Sequence, residues 1–293
     1  MSNELNLNKF LKKPTLLHVM HGNVMGGHVS GITVLGSEVF VTLYTSQIKV
    51  YNNESFTLSR IVNITGSNHL SGIVSCSHYN CLYAIDGTKN IYKHNLSDNI
   101  TTKWSILDMS GKYYGLSVIK CYNILATLSD DEDDTYFKAN LIQEYTTDGR
   151  LIRQISLDDS IHCPIHCVQL STGNFVVSYY ALLIRFHAAM QYRVCIVDTS
   201  GDIIQFYGGS PLSGIVQHNC PCQLTVDIHD NILFADTLNN RLQLLSPTLT
   251  CLGDIEIPGH QPIAPDSPYL DELNHRLYIG ECWSERLFVL KIK

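Results

Sequence analysis

Apolar residues recur along this chain in short runs of about four to six, some alternating and some continuous, broken by Gly, Asn, Asp and Ser. Runs of this length, rich in Val, Ile, Leu and Tyr and bounded by turn formers, read as β-strands. No amphipathic pattern of helical length stands out, so the chain is expected to be all-β. The runs gather in fours. The first group is Gly31–Leu35, Val39–Leu43, Ile48–Tyr51 and Thr57–Ile64, and the second is Gly72–Cys76, Cys81–Asp86, Asn90–Lys93 and Thr102–Leu107. Later groups open at Gly115, Pro164, Pro221 and Pro268.

The first strands of successive groups therefore start near residues 31, 72, 115, 164, 221 and 268. Spacings of roughly 41 to 57 residues, with four strands per unit, predict the blades of a β-propeller. The expectation is one domain over 1–293: a six-bladed β-propeller of four-stranded antiparallel blades, preceded by a flexible segment at 1–13. The sixth group is a strand short, because the chain ends at Lys293 just after Leu287–Leu290. An unpaired edge would template unwanted pairing. Thr15–Met20 is strand-like and belongs to no group. It is expected to supply the outer strand of the sixth blade and close the ring.

Two units share a finer pattern. In Pro221–Leu245, Val226-Asp227 is followed by Asn231-Ile232, Ala235-Asp236, Asn239-Asn240-Arg241 and Leu242-Gln243-Leu244. In Pro268–Leu290, Arg276-Leu277 stands for Asn231-Ile232, Glu281 for Asp236 and Arg286 for Arg241. The second unit keeps Asp86. This motif resembles the NHL repeat. The resemblance implies a six-bladed recognition platform, binding proteins or RNA in tripartite-motif proteins, where it follows RING, B-box and coiled-coil segments. No RING cysteine spacing or heptad pattern occurs here, so a ubiquitin-ligase role would need a separate partner. Asp236 ends one strand and Arg241 begins the next, which suits a structural pair at the blade corner.

Composition narrows the picture. Asp and Glu total 27 against 20 Lys and Arg, a net charge of −7. That balance disfavours RNA as a partner, since non-specific nucleic-acid binders are usually basic. No apolar stretch is long enough to span a membrane, and Met1–Lys13 lacks the apolar core of a secretory leader. A cytoplasmic monomer with reduced cysteines is expected. No nucleophile elbow, phosphate loop or zincin motif occurs, and no cofactor is expected.

Candidate sites lie in loops. The connections Leu128–Ala139 and Tyr179–Tyr192 would leave one face of adjacent blades, the first carrying Asp130–Asp134 and the second rich in aromatics. Aromatics and Arg dominate binding hot spots, so Tyr180, Arg185, Phe186, His187 and Tyr192 are the expected anchors for a protein or peptide. Cys163-Pro164 and Cys220-Pro221 occupy equivalent positions on neighbouring inner strands. His162, Cys163, His218 and Cys220 are therefore weak zinc candidates, although their spacing matches no known finger or ribbon. A second reading is a calcium-dependent lactonase of gluconolactonase type, which needs carboxylates and amides around the axis. Glu38, Asn123, Asn174, Asp227 and Asp236 have the right chemistry, but the strand assignment places most of them on turns or outer positions. His166 is expected to line the channel as a satisfied histidine.

Overall fold

The structure, a computed structural model, describes residues 14–20, 28–105, 111–129, 140–181, 191–207 and 221–292. The first blade is β2 (Gly31–Leu35), β3 (Glu38–Thr42), β4 (Gln47–Asn52) and β5 (Leu58–Asn63). The second is β6 (Gly72–Cys76), β7 (Cys81–Ile85), β8 (Asn90–Asn95) and β9 (Thr101–Ser105). The third is β10 (Lys112–Val118), β11 (Ile124–Ser129), β12 (Asn140–Tyr145) and β13 (Leu151–Ser156). The fourth is β14 (His162–Gln169), β15 (Phe175–Ala181), β16 (Gln191–Val197) and β17 (Ile203–Phe206). The fifth is β18 (Pro221–Val226), β19 (Ile232–Asp236), β20 (Arg241–Leu245) and β21 (Cys251–Asp254). The sixth is β22 (Pro265–Asp271), β23 (Arg276–Glu281) and β24 (Leu287–Lys291), joined by β1 (Thr15–Met20). All pairings are antiparallel between chain neighbours, except that β1 and β24 come from opposite ends of the sequence.

The expected ring closure is present. Thr15 pairs with Lys291, Leu16 with Leu290 and Met20 with Leu287, across a bulge between Leu16 and His18. Leu16 and Val19 pack against the apolar layer between blades five and six, while Met20 is buried in the layer between blades six and one. Such layers fill all six seams of the ring among the described residues. Between blades four and five, for example, Val176, Val194 and Ile196 meet Leu224, Phe234 and Leu245. A blade buries both faces only against its two neighbours, so no unit is stable alone. This explains the strand chemistry. The second strands β7 and β11 are buried along their whole length, and β7 reads as a continuous apolar run, whereas the outer β5 and β13 are largely exposed.

The inner strands approach one another closely around the axis. A methyl group on Gly115 would lie 2.4 Å from the Ile165 carbonyl oxygen, so only glycine lets β10 sit this near β14. Thr33 and Ser75 hydroxyls join blades one and two at 2.7 Å. The Ser267 hydroxyl donates to the Val29 carbonyl at 2.9 Å, joining blades six and one.

The blade corners follow the motif residues. Fully buried Asp236 accepts from Arg241 Nε at 2.8 Å and from Asn239 Nδ2 at 2.9 and 3.0 Å. Glu281 receives Arg286 on both oxygens, at 2.7 and 2.9 Å. Asp86 holds Asn90 at 2.9 Å and the Tyr92 hydroxyl at 2.9 Å, the same corner built without an arginine.

Three outcomes test this account. Replacing Leu16 and Val19 together by Asp is expected to lower unfolding stability by about 3 kcal/mol, read from urea midpoints. Arg241→Ala removes the cation from the buried Asp236 carboxylate and is expected to cost about 3 kcal/mol. Arg60→Ala, which breaks the exposed Arg60–Glu38 pair, is expected to cost less than ~1 kcal/mol.

Candidate functional site

Antiparallel order puts the start of each inner strand beside the end of the second strand. The starts of β2, β6, β10, β14, β18 and β22 and the ends of β3, β7, β11, β15, β19 and β23 thus share one face, called here the loop face. The axial channel encloses about 270 Å³ and is lined by all six inner strands, including Thr33, Ser75, Ser117, His166, Gln223 and Tyr269. No carboxylate occurs among its described lining residues. Gln223 crosses toward blade one and donates to the Ser30 carbonyl at 2.8 Å.

His166 lines the channel and is satisfied, as expected. Nε2 donates to the Leu116 carbonyl at 2.8 Å, and Nδ1 accepts the Leu224 N–H at 3.3 Å. One imidazole thereby ties blades three, four and five. The arrangement requires a neutral ring, because a proton on Nδ1 would face another donor. Burial, opposed only by the Leu116 hydrogen bond, pulls its pKa down to about 4.

The five carboxylates and amides with lactonase-like chemistry are held away from the axis. Glu38 pairs with Arg60, Asn123 donates to Glu144 at 2.6 Å and Asp236 serves its blade corner. Asp227 caps a turn by accepting from the His229 and Asn231 amides, and Asn174 sits in the turn after Thr172.

The expected binding loop is shorter than the sequence reading had it. β15 runs on to Ala181 and β16 begins at Gln191, so Tyr180 and Tyr192 are cross-strand partners in a longer hairpin. Tyr179 is fully buried in the seam between blades three and four. The cause is a ladder that stays in register through the aromatic residues, whose β-propensity extends the strands. Arg185, Phe186 and His187 lie outside the described residues, as does Asp130–Asp134. Of the zinc candidates, His162 and Cys163 open β14, with burial pulling the His162 imidazole below its ordinary value. His218 and Cys220 lie outside the described residues.

The loop face also carries a cluster that the sequence reading missed. His28 Nε2 lies 2.9 Å from Asp266 Oδ2, and the ring stacks on Tyr44 with centroids 5.8 Å apart. Tyr44 in turn packs on His69 at 4.4 Å. Backbone bonds fix the arrangement: the Val29 N–H donates to the Glu281 carbonyl at 3.0 Å and the Cys282 N–H to the Ala264 carbonyl at 2.8 Å. Burial opposes the His28 imidazolium, but Asp266 and Cys282 outweigh it and push the pKa up to about 10. Tyr44 is 51% exposed and Trp283, beside Cys282, is 62% exposed. The signal in the sequence was faint: an aromatic at a hairpin tip, in Leu43-Tyr44-Thr45 and Cys282-Trp283-Ser284.

No protein-family model matches the chain, and no curated protein sequence matches it. Among solved structures, the chain is similar to a protein of unknown function from Bacteroides caccae, at 10% identity and a TM-score of 0.64, covering 83% of this chain and 82% of that one. It is also similar to a catalytically inactive virginiamycin B lyase from Staphylococcus aureus, solved with quinupristin. That likeness has 12% identity and a TM-score of 0.63, covering 96% of this chain and 100% of that one. At such identities the likeness shows the fold alone, a six-bladed β-propeller.

The two histidines set opposite pH limits. The raised pKa of His28 means that its stabilising contribution is complete below about pH 6.5, the ordinary histidine value, and is lost as pH climbs through about 10. The depressed pKa of His166 means that its contribution is present above about pH 6.5 and is lost as pH falls through about 4. Subtracting urea-unfolding profiles isolates each residue: wild type minus His28→Gln is expected to decline only on the alkaline side. Wild type minus His166→Asn is expected to decline only on the acid side.

Proposed function

We propose that this chain is an NHL-type propeller that works as a recognition scaffold, binding a protein or peptide on its loop face. The observation carrying this reading is the exposure of Tyr44 and Trp283 at hairpin tips on that face. Large exposed aromatic side chains anchor interfaces when a partner covers them. The strand ends at Ala181 and Gln191 open on the same face. The aromatic residues between and beside them, Tyr180, Phe186 and Tyr192 with Arg185 and His187, extend the same surface chemistry in this reading.

The corner pairs Asp236–Arg241 and Glu281–Arg286 support the NHL assignment, because both motif copies make the same contact at equivalent positions. The net charge of −7 favours a protein or peptide over single-stranded RNA. The likeness to a lyase fold does not transfer an activity, since one fold hosts many functions.

The test is selection of peptides from a random library on the immobilised full-length protein. Enriched peptides are expected to bind wild type and to lose roughly tenfold or more in affinity when Tyr180 and Phe186 are both changed to Ala. Thermal unfolding is expected to stay nearly unchanged. Failure to enrich any peptide, or micromolar RNA binding that collapses with added salt, would overturn the proposal.

A further inference from the structure

We infer that the axial channel holds a binding site for one small, uncharged, polyhydroxylated molecule about the size of a single sugar ring. This site is separate from the loop face. Its lining residues lie in the middle and at the ends of the inner strands. Leu116, Ser117 and Val118 end β10, and Leu224, Thr225 and Val226 end β18. Inner strands start on the loop face, so the cavity sits toward the opposite one. Peptide capture by exposed aromatics and ligand capture in the channel are therefore independent of each other.

The channel has a polar frame. The strands β2, β6, β10, β14, β18 and β22 each have a ladder partner on one side only, so their second edges turn N–H and C=O groups toward the axis. Side chains of neighbouring blades take some of these groups. Thr33 Oγ1 accepts the Ser75 N–H at 3.1 Å, the Ser75 hydroxyl donates to the Val34 carbonyl at 2.9 Å, and His166 bridges Leu116 and Leu224. The Gln223 amide is anchored on the Ser30 carbonyl, which holds it in one orientation and keeps its own carbonyl oxygen as an acceptor among the lining groups. One lining hydroxyl is left over. Ser117 is 8% exposed, and its Oγ has no hydrogen-bond partner among the described residues. The Cys167 thiol beside it, whose pKa burial pushes up to about 12, is too weak a partner to satisfy it. A buried hydroxyl without a partner lowers stability, and a ligand hydroxyl in the channel removes that penalty.

The lining selects the ligand. No Asp, Glu, Lys or Arg occurs among the described lining residues, and the hydrogen bonds of His166 keep its ring neutral. An ion entering the channel would shed its water and meet no counter-charge. Hydroxyls and amides are mixed instead with apolar surface from Ile73, Leu116, Val168, Pro268 and the Tyr269 ring. That mixture suits a molecule with hydroxyls at its rim and C–H groups on its faces, as a sugar ring or a cyclitol has. A wholly apolar ligand would leave Ser117 unpaired. The volume of about 270 Å³ is at the lower end for small-molecule pockets, which start at about 300 Å³. Nucleotides, peptides and lipids are too large for it.

The full-length protein is tested with D-glucose, D-galactose, D-mannose and myo-inositol, read by saturation-transfer NMR and titration calorimetry. At least one of these probes is expected to bind. The uronate and the amino sugar that correspond to a bound hexose are expected to bind at least roughly tenfold more weakly. Ser117→Ala is expected to weaken binding roughly fivefold or more, the loss of one hydrogen bond. The same change is expected to leave the urea midpoint of the unliganded protein unchanged or raised, because an unpaired buried hydroxyl has gone. A hydroxyl with a purely structural role would lower that midpoint, and this result would overturn the inference. So would no binding of any probe, which leaves a channel of water only, equal affinity for charged and neutral sugars, or unchanged affinity in Ser117→Ala. Peptide selection does not read the channel, so this inference and the scaffold reading fail separately.

Discussion

The pairing of β1 with β24 is the constraint on which the molecule depends. Each blade has two apolar faces, and each face needs a neighbour. Around a closed ring every face is covered, and in an open stack two would meet water. The sixth sheet gains its fourth strand only from Thr15–Met20, and that strand brings Leu16 and Val19 to one seam and Met20 to the other. A few apolar side chains near the start of the chain thus complete two of the six seams.

The ring also decides where chemistry can gather. Inner-strand starts and second-hairpin tips converge on one face whatever the local sequence is. Residues distant in the chain, such as His28 and Asp266, meet there without any motif joining them. Corner pairs make this convergence rigid. Glu281 accepts Arg286, Ser284 and the Ile263 amide at once, and its carbonyl anchors Val29. One buried carboxylate therefore shapes a blade corner and sets the position of its exposed neighbours.

The blades were legible because their burial is periodic. Runs such as Cys81–Ile85 and Ile232–Ala235 are apolar throughout because both faces are covered, and turn formers mark their ends. Asp86, Asp236 and Glu281 were legible as corners because a carboxylate beside a hairpin needs donors close in sequence. The candidate site was far less so. The end of the aromatic hairpin at Ala181 depends on ladder register, which strand composition alone does not encode. His28 and Asp266 were invisible as a pair, since they lie more than 200 positions apart. Single polar residues preceding strands look alike until the ring brings them into contact.

The split origin of the sixth sheet has a consequence for biosynthesis. A ribosome releases Thr15–Met20 early, yet its partner strand β24 is made only after the other strands of the ring. Five blades can assemble while the chain is still tethered, with the early strand waiting unpaired and two seams uncovered. Latching must then wait for β24, so the nascent protein passes through an open crescent whose bare flanks invite chaperones, or copies of itself.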